Sequence, residues 1–143
     1  MNLGEDMTVI SKSEADTILE GEKLGRKLGP GAVVAMSGEL GCGKTAFTKG
    51  LAAGLGISTH VSSPTFTIVN EYAGDIPLFH FDMYRIAGDD ELYEIGWDDY
   101  LERGGVCAVE WSENTPAAFA SGTYLVKFEN LGGDTRRLEV TII

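Results

Sequence analysis

Gly38-Glu39-Leu40-Gly41-Cys42-Gly43-Lys44-Thr45 is the stretch on which the reading of this chain turns. Two glycines five positions apart, followed by lysine and a hydroxyl residue, have the spacing of a phosphate-binding loop. Glycine lets the backbone curl so that successive N–H groups point inward at an anionic oxygen, a concavity that side chains would obstruct. Lys44 brings a positive charge for the terminal phosphates, and the Thr45 hydroxyl offers a ligand for the magnesium that travels with them. A helix opening at this point turns its positive dipole end toward the same place. The bland alternative is a glycine-rich turn that binds nothing, and the flanking sequence decides between the two.

Before the loop, residues 32–37 read Ala-Val-Val-Ala-Met-Ser, a short apolar run suited to a strand buried on both faces. After it, Phe47, Leu51 and Leu55 recur at helical spacing, and Gly56 can end that helix. Strand, glycine loop and helix follow in the order that phosphate binding requires.

Bulk properties bound the remaining possibilities. With 143 residues, the chain 1–143 reads as a single domain able to bury a core without disulfides. Its hydrophobic fraction of 43% is ordinary for a globular protein, and no apolar run approaches membrane-spanning length. Acidic residues come early, at Glu5 and Asp6, with no basic-then-apolar signal pattern, so a cytoplasmic protein with no membrane partner is expected. Cys42 and Cys107 have neither metal-site nor redox-motif spacing. Cys107 lies in an apolar run and reads as core. Cys42 reads as a small side chain filling the loop, or as a thiol activated by Lys44 and the helix N-terminus. The formal net charge of −11 argues against direct contact with nucleic acid, which needs a basic footprint.

Along the chain, residues 8–11 suit a short strand, and Ser13 with Asp16 resembles a capping box for a helix. Ala15, Ile18, Leu19 and Leu28 predict that helix's buried face, with Gly29-Pro30 as its stop. In residues 60–72, the hydroxyls of Ser62, Ser63 and Thr65 around Pro64 suit either a loop approaching a nucleotide or an ordinary turn. Residues 76–81 form an apolar segment that delivers Asp82 at its end, and residues 105–109 form another that delivers Glu110 and Trp111. Because ligands collect outside the carboxyl ends of parallel strands, Asp82 and Glu110 fall where a magnesium-bound nucleotide would lie. The alternative for either carboxylate is a helix cap or a surface acid. Residues 89–97 and 97–101 suit two short helices belonging to the scaffold. Residues 124–129 and 137–142 alternate around Gly132, Gly133 and Asp134 as a hairpin. The expected fold is α/β: a three-layer nucleotide-binding arrangement with a mixed, mostly parallel sheet and a C-terminal antiparallel hairpin.

Phosphoryl transfer asks a protein to hold phosphates, neutralise charge and align an acceptor. The loop and Lys44 meet the first two demands. Thr45 with Asp82 or Glu110 supplies the oxygens magnesium prefers, and the carboxylate that is not a ligand can orient water. A guanine-recognition signature Asn/Thr-Lys-x-Asp is absent from the sequence, which disfavours a GTPase.

The loop together with Ser63-Pro64-Thr65-Phe66-Thr67, His80-Phe81-Asp82-Met83-Tyr84-Arg85 and Glu110-Trp111-Ser112-Glu113 closely resembles the bacterial TsaE family. The likeness extends over nearly the whole chain. It implies a P-loop ATPase with a mixed sheet, serving threonylcarbamoyladenosine modification of tRNA in complex with the TsaD and TsaB proteins, with tRNA held by the complex. By the same resemblance Thr45 and Glu110 are magnesium ligands, Asp82 is a carboxylate needed for turnover, and Trp111 lies beside the nucleotide. Ser63 and Thr65 resemble a switch loop, and Arg136 and Ser11 are expected near the base. Cys42 stands where alanine is usual in the family's loop. Two other readings stay open: a small-molecule P-loop kinase, for which no arginine-rich lid segment is present, and a nucleotide-sensing binding module without turnover.

Overall fold

The computed structural model describes residues 7–39, 41–61 and 68–143. Leu40, Ser63 and Thr65 lie outside the described residues. The chain runs β1 (Met7–Ser11), α1 (Glu14–Gly25), β2 (Val33–Ser37), α2 (Lys44–Gly54), β3 (Val69–Tyr72), β4 (Leu78–Asp82), α3 (Asp89–Glu94), α4 (Trp97–Glu102), β5 (Val106–Glu110), β6 (Tyr124–Gly132) and β7 (Thr135–Ile142). The described strands form one sheet in the order β1-β7-β6-β2-β5-β4-β3.

The sheet is mixed, as the sequence predicts, but its antiparallel share is larger than expected. Ladders β2·β5, β2·β6 and β4·β5 are parallel, whereas β1·β7, β6·β7 and β3·β4 are antiparallel. Chain length explains the difference on one side. Only residues 73–77 join β3 to β4, too few for the crossover that a parallel pair demands. On the other side β7 folds back as the expected hairpin, and β1 adds to its free edge.

Alternation along the central strands serves two cores at once. Leu78, Val106 and Ala108 pack into one cluster with Phe47 and Leu51 of α2. Phe79, Phe81, Cys107 and Val109 pack into another with Leu92 of α3 and Trp97 of α4. Helices therefore cover both faces, giving three layers. The same period of two sends His80, Asp82 and Glu110 to the α2 face.

Helix α1 begins as predicted, with the Ser13 hydroxyl accepting the Asp16 N–H at 3.1 Å. Its buried face is not the predicted one. Thr17, Gly21 and Gly25 are buried, while Ala15 and Leu19 are exposed and Ile18 is half-buried; Leu28 is buried as predicted but lies past the helix, which ends at Gly25 ahead of Gly29-Pro30. The reason is backbone-to-backbone packing against α2. A Cβ on Gly25 would stand 2.6 Å from the Leu51 carbonyl oxygen, and Cβ atoms on Gly21, Gly50 and Gly54 would overlap the carbonyl oxygens of Phe47, Ile18 and Glu22. Two glycines four apart on each helix thus let the helices touch, leaving little for apolar side chains to fill. Helix α2 matches expectation: Phe47 and Leu51 are buried, and Gly56 adopts a left-handed φ of 80° just past the end. Among the described residues, no helix is long and apolar enough to cross a membrane.

Candidate functional site

Between β2 and α2 the chain turns through the glycine loop. Gly43, the residue that opens α2, has φ 105°, a conformation costly for any residue with a Cβ. No side chain caps the helix there. The helix turns its positive dipole end toward the mouth of the loop, a setting that favours an anion there. Gly38 is required by space as well: a Cβ there would stand 2.7 Å from the Phe128 carbonyl oxygen.

Lys44 is 4% exposed, its ammonium donating to the Gly38 carbonyl at 2.6 Å and lying 3.5 Å from the centre of the Trp111 ring. The loop is further tied to the hairpin, because the Arg136 guanidinium donates to the Gly41 carbonyl at 3.1 Å and to the Gly133 carbonyl at 2.7 Å. Cys42 is buried, and burial pushes its thiol above the ordinary range despite the opposing charge of Lys44. That leaves it protonated and favours the loop-filling reading over an activated thiol. Cys107 is buried too, its thiol pushed up to about 12.

Facing the loop are two carboxylates at adjacent strand ends. In the parallel β4·β5 ladder Asp82 pairs with Glu110. Glu110 is 4% exposed and accepts from the Thr45 hydroxyl at 3.2 Å and from His80 Nε2. Asp82 is half-buried and accepts the Tyr84 N–H at 2.9 Å. Burial, reinforced by the negative charge of Glu110, holds its carboxyl above the ordinary carboxylate range. Trp111 follows Glu110 at φ 59°, the one non-glycine residue with positive φ among those described. Such a conformation costs on the order of 1–3 kcal/mol and points to a constraint at this position. Its ring is held between the Lys44 ammonium and Tyr84, whose ring centre lies 5.0 Å away.

Together these groups border a cleft of about 320 Å³, within the size range of small-ligand sites. Gly41, Cys42, Gly43, Lys44, Thr45, Asp82, Glu110, Trp111 and Arg136 line it. Gly38 and Glu39 stand behind the lining, the former with its N–H on the Glu113 carboxylate at 3.2 Å, the latter with its carbonyl accepting the Cys42 N–H. Ser11, expected near the base, is fully buried instead. Its hydroxyl lies 2.6 Å from that of Thr17 and donates to the Ser13 carbonyl, and it is Thr17 that borders the cleft. Glu14 and Asp134 also line the cleft without having been predicted, since isolated acids in a chain with 22 of them carry no local signal. His80, within the His80–Arg85 motif, carries no task in the sequence reading, yet it sits on β4 beside the site. Its position two before Asp82 on a strand, which shares the face, was the available clue.

The donors suit magnesium. A threonine hydroxyl and a carboxylate within 3.4 Å of each other, with a second carboxylate on the next strand, are the hard oxygens such a cation takes while keeping waters and substrate oxygens as its other ligands.

Comparison with known proteins gives a consistent result. The family model described as Threonylcarbamoyl adenosine biosynthesis protein TsaE matches residues 11–138. The tRNA threonylcarbamoyladenosine biosynthesis protein TsaE of Treponema pallidum is 38% identical over 134 residues, which cover 94% of this chain and 99% of that one. Its Bacillus subtilis counterpart is 43% identical over 115 residues, covering 80% and 72%. The crystal structure of Bacillus subtilis YdiB superposes with a TM-score of 0.83 at 31% identity, covering 100% of this chain and 89% of that one.

Proposed function

This chain belongs to the TsaE family of tRNA threonylcarbamoyladenosine biosynthesis proteins, and on that premise we propose that its cleft binds ATP with magnesium and hydrolyses it in complex with the TsaD and TsaB proteins. One observation carries the proposal: the Thr45 hydroxyl sits on the Glu110 carboxylate beside the glycine loop and the buried Lys44 ammonium.

Each group then has a task. The amides opening α2 and Lys44 hold the phosphates. Thr45 and Glu110, with Asp82 beside them, would hold magnesium, and the bound ion would supply charge neutralisation at the phosphates. Asp82, half-exposed and with raised proton affinity, orients the attacking water. Trp111 covers the Lys44 ammonium and excludes bulk water from its vicinity. The net charge of −11 supports a chain that leaves tRNA to its partners.

Asp82→Asn and Glu110→Gln test this division of labour. Each is expected to lower magnesium-dependent hydrolysis by about a hundredfold, the scale of losing one group that stabilises transition-state charge. ATP affinity without magnesium should change little, because the loop and Lys44 are intact. Phosphate release and calorimetry on the same preparations give both numbers. Parental turnover in both variants would contradict the assignment.

A further inference from the structure

We infer that His80 is a positioning residue that fixes the Glu110 carboxylate toward Thr45; the inference rests on the reading of the cleft as a magnesium–nucleotide site. His80 is fully buried and Glu110 nearly so. A carboxylate removed from water needs donors, and two side chains among the described residues supply them: the Thr45 hydroxyl and His80 Nε2. A carboxylate only accepts, so the ring must carry its proton on Nε2. His80 Nδ1 has no partner among the described residues, so the bond to Glu110 is the polar tie that orients the ring.

Strand register explains how the pair meets. His80 lies opposite Ala108, and Glu110 is the diagonal neighbour two residues on. The small Ala108 side chain leaves room for the imidazole to reach across that diagonal. With one oxygen held from β4, Glu110 cannot rotate away from the loop, and its carboxylate stays turned toward the hydroxyl with which it would share a cation. Histidine here does what an outer-shell partner does in metal sites, where loss of such a partner lowers metal affinity by about 10–100-fold.

The test compares the wild-type protein with His80→Leu, His80→Asn and His80→Gln, each checked for fold by circular dichroism. Magnesium is titrated into protein with ATP, and ATP affinity is measured separately in EDTA. The leucine and asparagine variants should need about 10–100-fold more magnesium for half-saturation, with EDTA affinity unchanged. The glutamine variant, whose amide nitrogen reaches close to the Nε2 position, should recover most of the loss. Wild-type binding indifferent to magnesium would overturn the metal reading and this inference with it. Wild-type dependence on magnesium with unshifted leucine and asparagine variants would overturn the role of His80 alone. A measurement on the wild-type ring needs no folded variant: ¹⁵N spectroscopy should find the proton on Nε2, and a bare Nε2 with the proton on Nδ1 would equally overturn it.

Discussion

Lys44→Ala should weaken ATP binding by about a hundredfold and leave the chain folded. A hydrogen bond to a charged group contributes roughly 1.5–3 kcal/mol, and about 1.4 kcal/mol is tenfold in affinity. Lys44 carries three donors on a full positive charge, in a chain whose 22 acids oppose a triphosphate. Folding depends on it far less. Its ammonium bonds one loop carbonyl and the face of Trp111, and alanine is a better helix former than lysine at this first position of α2. Calorimetry with ATP, beside a thermal melt, measures both consequences. A folded variant with parental affinity would mean that the loop is only a turn.

Gly50→Ala should destabilise the protein by about 3 kcal/mol or more, the upper part of the range for overfilled cores. Two effects compete. Alanine in place of a mid-helix glycine is worth roughly 0.5–1 kcal/mol in favour of the helix. Against this, the new Cβ would overlap the Ile18 carbonyl oxygen, a backbone atom that cannot swing aside. Relief requires α1 and α2 to separate along their length, unpacking Gly21, Gly25 and Gly54 as well. Gly29→Ala is the control, since nothing lies within 4 Å of a Cβ there. Urea unfolding of the two variants should show a large loss for the first and none for the second. A stabilised Gly50→Ala would refute the close helix contact.

That contact also marks where the sequence stopped being legible. The loop and its flanks could be read because each step is local: apolar run, glycine spacing, helical period. Asp82 and Glu110 could be placed because strand ends follow from the same apolar runs. The buried face of α1 could not, because apolar periodicity finds side chains that fill space, and α1 meets α2 chiefly through glycines, with Leu24 as its apolar contribution to the core. Paired glycines four apart in both helices were the signal, but glycine reads first as a turn residue. Of the antiparallel pairs, the C-terminal hairpin could be read from its glycine turn and β3·β4 from the short link between its strands, whereas β1·β7 needed pairing information that no single strand holds. Ser11 was assigned by analogy to the cleft; its hydroxyl is taken by Thr17, and such a pairing between strand and helix is invisible before both are folded. His80 was hidden for a different reason. A lone histidine between Phe79 and Phe81 looks like core until the register sets it diagonal to Glu110.

The most direct measurement of the central claim is phosphate release from ATP by the purified chain, with magnesium, alone and after addition of the purified TsaD and TsaB pair. Of five arginines, Arg26, Arg103 and Arg137 pair with Glu22, Glu71 and Glu129, and Arg136, the one that lines the cleft, is tied to the Gly41 carbonyl, which leaves little to supply a further cation in cis. Turnover should therefore be slow alone and rise steeply with the pair, on the scale of roughly 10³ to 10⁵ that a partner-supplied group contributes in other phosphoryl-transfer enzymes. Full turnover by the chain alone, indifferent to the pair, would contradict the account, as would no phosphate release under either condition.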